Sequence, residues 1–219
     1  MAEAVKEHVR ELLRKQDYSA LTVLCEKDRR YWQAVRFRLY DLDEMLRWPA
    51  IETAGQFMRL WWLEGREEKV RIYIRTLFWS MTDESGGIGW SSPQTIAEII
   101  SNIPVLIDPY GNMMIAHSVD EPPLVKGCLW GIGRLGRLIT DSVNLFKDKI
   151  LEVFRIEDPE TLGLASWALG EAGFTRALPF LEKLILRTEH VKIYINGEFM
   201  GKPLGNWAGE AVLKMNKAS

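Results

Sequence analysis

Apolar residues recur at every third or fourth position through most of the chain, the spacing of helices that bury one face. The pattern predicts helices over residues 3–15, 18–26, 29–46, 49–63, 67–81, 93–102, 123–135, 142–154, 159–171, 176–186 and 203–215. Two starts are marked by an acceptor followed by proline, Ser92-Pro93 and Asp158-Pro159: the first residue caps the helix, and the second lacks an N–H where none is needed. Gly136 and Gly173 stand where helices stop in the left-handed conformation that glycine tolerates. One segment changes period: Lys192-Ile193-Tyr194-Ile195 and Glu198-Phe199-Met200 flank Asn196-Gly197, the signature of a two-residue type I′ hairpin. Residues 103–123 are rich in Pro, Gly and Asn and are predicted as the longest irregular region.

A second, longer period lies over the first. The heptapeptide from Trp130 to Gly136 is echoed from Trp167 to Gly173, and again, shortened, from Trp207 to Ala211. Small–polar pairs extend the register: Gly55-Gln56, Ala97-Glu98, Gly133-Arg134, Gly170-Glu171 and Gly209-Glu210, with steps of 42, 36, 37 and 39 residues. Such a period is that of helix-pair repeats, the small residue letting neighbouring helices approach. The run from Leu164 to Gly173, followed by Ala177 to Leu184, resembles a HEAT-like repeat of the phycocyanobilin-lyase type. Phe174 stands where that subtype often has an aspartate. The loop Thr82-Asp83-Glu84-Ser85-Gly86-Gly87 between Trp79 and Trp90 resembles one shared by a group of uncharacterised bacterial HEAT-like proteins. The resemblance implies an all-α solenoid, a single domain over residues 1–219. Degenerate capping repeats would cover 1–48, repeats about 49–188, the hairpin 191–200 and a last helix 203–217. It does not imply lyase activity, because most proteins with these repeats are not lyases.

Composition adds little to the fold and more to the choice of partner. The chain is 47% hydrophobic and 26% charged, with nine Trp. Its length allows a sizeable core, and no run reaches the roughly 18 apolar residues of a membrane span. The charged N-terminus does not read as a signal peptide, so the sequence points to the cytoplasm, where Cys25 and Cys128 would be reduced and buried. Between Arg75 and Lys126 there is no Lys or Arg, while Asp83, Glu84, Glu98, Asp108, Asp120 and Glu121 fall in that stretch. Nucleic acid is bound through cations; this stretch suits a cation or a basic partner.

The candidate chemistry concentrates in the Trp79–Trp90 loop. Asp83 and Glu84 precede Ser85, and Gly86, Gly87 and Gly89 permit close backbone approach. The candidate binding residues are Trp79, Asp83, Glu84, Ser85, Gly86, Gly87, Trp90 and Glu98, with Trp stacking and carboxylates engaging a cationic group; the alternative is that the carboxylates cap a tight inter-repeat turn. Arg134, Glu171 and Glu210 are weaker candidates for a ladder along one edge, against which stands a structural role bonding neighbouring turns. No catalytic residue, metal site or cofactor is expected: His8, His117 and His190 lie far apart, Ser85 lacks the nucleophile-elbow spacing, and the glycines match no phosphate loop. The leading expectation is a non-catalytic protein–protein interaction scaffold, its partner carrying a basic or apolar segment. A cofactor- or chromophore-handling enzyme or maturation factor comes second. A HEAT-like DNA glycosylase comes third, since residues 1–80 are nearly charge-balanced.

Overall fold

The computed structural model describes residues 2–82 and 89–217. It is mostly helical with one two-stranded antiparallel sheet, and its residues gather into two compact units, Met1–Pro104 and Val105–Ser219.

In the first unit, α1 (Ala2–Arg14), α2 (Tyr18–Lys27) and α3 (Arg29–Arg38) pack on the long α4 (Glu44–Leu63), which also meets α5 (Glu67–Met81) and α6 (Ser92–Asn102). Asp17, Asp28 and Asp43 each cap the following helix, accepting N–H bonds from Ala20, Arg30 and Met45. The core takes Val9, Leu13, Leu21, Val35, Ile51, Phe57, Ile74 and Ile99. Gly55 is where α4 approaches α6: a Cβ there would lie 2.8 Å from Glu98 Cγ.

The sequence predicts one helix over residues 29–46 and another from Pro49; the break lies earlier. The chain leaves α3 at Leu39, and Asp41 Oδ1 takes the Asp43 N–H at 3.0 Å before α4 starts. The helix then runs through Pro49, whose neighbours Trp48, Ala50 and Ile51 are buried, so packing outweighs the lost bond.

In the second unit, α7 (Ile107–Ser118) is followed by α8 (Val125–Leu135), short helices α9 (Thr140–Leu145) and α10 (Lys147–Glu152), α11 (Pro159–Ala172), α12 (Leu178–Leu181), strands β1 (His190–Ile195) and β2 (Glu198–Pro203), and α13 (Leu204–Asn216). Helix α11 packs between α8 and α13 and is buried along nearly its whole length. Glycines bring these elements together: a Cβ on Gly133 would meet the Trp167 ring at 2.4 Å, one on Gly163 Val191 Cγ1 at 2.5 Å, and one on Gly170 Ala211 Cβ at 2.8 Å. Asp158 caps α11 as predicted, accepting from Thr161 N at 3.0 Å. Gly173 ends the helix at φ 68°, ψ 31°, in the left-handed region.

The hairpin is present and longer than predicted, registered from His190 opposite Pro203 to Ile195 opposite Glu198. Asn196 and Gly197 both take positive φ, 52° and 88°, as a type I′ turn requires. Three expectations fail in this unit. Gly136 ends α8 at φ 55°, ψ −130°, outside the left-handed helical region expected for it. Residues 107–118 form a helix rather than a loop, with Pro109 in its first turn. The helix predicted over 142–154 breaks at Phe146 into α9 and α10 and ends in a 3₁₀ turn, and of that predicted over 176–186 only α12 is α-helical, with a 3₁₀ turn at each end.

Candidate functional site

The two tryptophans that flank the acidic loop are held in opposite ways. Helix α5 buries Val70, Tyr73, Ile74, Leu77 and Phe78, a stripe at three- and four-residue spacing. Trp79 falls outside that stripe and is 77% exposed, and Ile72, two turns earlier on the same face, is 51% exposed. The helix closes at Thr82, whose N–H and Oγ1 both donate to Trp79 O at 3.1 Å. Asp83, Glu84, Ser85, Gly86 and Gly87 lie outside the described residues.

At the far side the chain is anchored. Gly89 N–H donates to Ser80 O, and Ser92 N–H to Gly89 O, each at 2.8 Å. Only glycine fits at position 89, because a Cβ would lie 2.3 Å from Ser80 Oγ and 2.6 Å from Ser92 Oγ. Ser80, Ser92 and Tyr40 form a hydroxyl chain, with separations of 2.8 and 3.1 Å. Trp90 is half-buried, its ring edge-on to Tyr40 at 6.5 Å and beneath the Arg47 guanidinium at 4.7 Å.

The helix start at Ser92-Pro93 needs correction. Ser91 holds the capping position, and its hydroxyl donates to Leu39 O instead of accepting from the helix. Ser92 is the first helical residue, its hydroxyl engaged by Ser80 and Tyr40.

Glu98 is 4% exposed on α6, where every residue from Ser92 to Ile100 is buried. Its Oε1 accepts from Asn102 Nδ2 at 2.8 Å, and its methylene lies against Gly55. In the second unit, Glu171 accepts from Lys214 and Glu210 from Lys202, while Arg134 is exposed in the last turn of α8. Each glutamate of the register is thus engaged by a side chain of its own unit.

Burial pushes the thiols of Cys25 and Cys128 up to about 12, which keeps them protonated and poorly nucleophilic near neutrality. Among the described residues, no group of three or more His, Cys, Asp or Glu is placed to hold a metal ion, and no helix is long and apolar enough to cross a membrane.

Sequence reasoning missed Tyr40, Arg47 and Ser80, took Ser92 for a helix cap where it joins them in holding the two ends of the loop, and missed Phe37, which is 71% exposed on α3. Phe37 carried one legible signal: it lies among four arginines in a helix without a carboxylate.

The fold and this surface define a predominantly α-helical protein with one small hairpin and an exposed tryptophan leading into an acidic loop. No family model matches the chain. It is 32% identical to a protein of Archaeoglobus fulgidus, described as an uncharacterised protein, over 136 residues covering 62% of this chain and 70% of that one. The chain belongs to one family with that archaeal protein.

Proposed function

We propose that the protein is a non-catalytic interaction scaffold, built of stacked HEAT-like helix pairs, that offers the Trp79-led acidic loop to a partner carrying a basic or apolar segment. The observation that carries this reading is the exposure of Trp79, 77%, one helical turn before Asp83 and Glu84 in the chain. A large ring left in water at a helix end is the kind of side chain that anchors protein interfaces. Neighbouring carboxylates favour a cationic partner and speed its approach. The stacked-repeat part draws support from the small residues in register: Gly55 packs on Glu98, Gly133 on Trp167 and Gly170 on Ala211. In each pair a small residue of one repeat touches the corresponding helix of the next.

The test is affinity capture from lysate with wild type beside Trp79→Ala and the Asp83→Ala/Glu84→Ala double variant, reading proteins and small molecules. A protein lost from both variants, with melting temperatures unchanged, supports the scaffold. A small molecule or metal retained without a protein partner sinks it in favour of cofactor handling.

A further inference from the structure

Helix α3 carries a surface that the Trp79 reading leaves unused. Trp32, Ala34 and Val35 turn into the core, while Phe37 points outward, 71% exposed. A groove runs along each side of Phe37. The larger, about 370 Å³, lies between α3 and α5, with Arg36 and Tyr40 facing Tyr73 and Leu77. The smaller, about 280 Å³, lies between α3 and α1, with Arg30 facing Val5 and Lys6. No carboxylate lines either groove among the described residues.

Not every cation here is equally available. Arg38 is buried and pairs with Asp41 at 2.7 Å. Arg30 is gripped by both oxygens of Asp28, its Nη2 at 2.7 Å from one of them. Arg36 lies over the Tyr73 ring, 5.5 Å from its centroid. Lys6 meets Glu3 at 3.4 Å, with both side chains more than half exposed, a contact of little strength in water. Arg36 and Lys6 therefore stand ready at the two grooves, with the Phe37 ring between them.

We propose that this face docks an acidic peptide segment of a partner protein, with apolar side chains entering the grooves beside Phe37 and carboxylates pairing with Arg36 and Lys6. The charge is opposite to that of the acidic loop, so the partner is of a different chemistry from the one proposed above, although the larger groove reaches Ser80 at the base of that loop. An exposed aromatic flanked by cations supplies both the anchor and the steering that such docking needs. Single-stranded nucleic acid calls for a row of cations along its backbone with several stacking rings; here two available cations line the grooves beside one ring, and Asp28 and Asp41 hold Arg30 and Arg38.

The probe is a short fluorescein-labelled peptide alternating Glu with Leu, read by anisotropy. The same peptide with Lys for Glu is the control. The Glu peptide is expected to bind about tenfold or more tighter than the control, and to weaken as salt rises. Phe37→Ala and Arg36→Glu are each expected to weaken it by about tenfold. Should Arg36→Glu fail to fold by circular dichroism, Lys6→Glu on the exposed face of α1 supplies the charge reversal. The proposal is overturned by equal binding of the two peptides, or by variants that bind like wild type. It is also overturned if a single-stranded oligonucleotide outcompetes the peptide, or if wild type forms a dimer that Phe37→Ala dissociates, which would show a second copy covering the face.

Discussion

The nine tryptophans of this chain divide between two environments. In the Val105–Ser219 unit, Trp130, Trp167 and Trp207 are all buried. Two of them also satisfy their indole N–H groups internally, Trp130 on Tyr194 O at 2.7 Å and Trp207 on Val191 O at 3.2 Å. In the Met1–Pro104 unit, Trp32 and Trp48 are buried, but Trp61, Trp62 and Trp90 are only half so and Trp79 is exposed. The half-buried ones are sheathed by cations: Arg66 and Lys69 over Trp61, Arg71 over Trp62 and Arg47 over Trp90. The buried trio all stand two or three residues before the small residue of the repeat register; the sheathed and exposed ones do not. A count of tryptophans therefore says nothing about burial, whereas register says more: the three tryptophans in register are all buried, and one of them, Trp167, fills the gap that Gly133 leaves on α8.

The largest effect that would break this contrast is at Trp167. Trp167→Ala removes a ring packed on Gly133 and should cost about 3–5 kcal/mol in denaturant unfolding; a loss below about 1 kcal/mol would mean the ring is not part of the core. Next come two glycines of the same register with opposite surroundings. A Cβ on Gly170 would lie 2.9 Å from the backbone Cα of Ala211, while one on Gly209 would meet nothing within 4 Å. Gly170→Ala should therefore destabilise by about 1–3 kcal/mol. Gly209→Ala should stabilise by up to about 1 kcal/mol through helix propensity. Equal signs in the two melts would refute the packing assignment.

A smaller effect attaches to the α11 cap. Burial alone would raise the Asp158 pKa; hydrogen bonds from Thr161 Oγ1, Lys126 and the Thr161 N–H outweigh it and hold the carboxyl below its ordinary 3.8. A depressed carboxylate adds stability that is present above the unfolded-state value and lost as pH falls through the folded one. Asp158→Ala should cost about 1 kcal/mol at neutral pH, and its deficit against wild type should shrink below about pH 4. The smallest expected change is the stability of Trp79→Ala, within about 0.5 kcal/mol of wild type; a large loss would move Trp79 into the buried class and remove the ground for the scaffold reading.

What could be read from the sequence follows from how local the cause is. The Asn196-Gly197 turn, the Asp158 cap and the Gly173 stop depend on one or two residues and were legible. Helix α7 was not, although its buried Ile107, Tyr110, Gly111, Met114, Ile115 and Ser118 keep helical spacing. Pro104, Pro109 and Gly111 masked that spacing, yet Pro109 falls where a missing N–H costs nothing. Of the site, the sequence pointed to the loop but not to its bracing, since Ser80, Ser92, Tyr40 and Arg47 are drawn together from three helices and a connecting turn. Phe37 was missed because an aromatic in a helix reads as core until its neighbours' burial is known.

The small hairpin has a consequence for motion. Two strands alone are marginal in water, and these are held from outside by indoles on α8 and α13 that bond Tyr194 O and Val191 O. Val191 also fills the space beside Gly163 on α11. The hairpin therefore cannot fray without disturbing three helices, and its amides should exchange with solvent in step with theirs rather than at the rate of a loose surface turn.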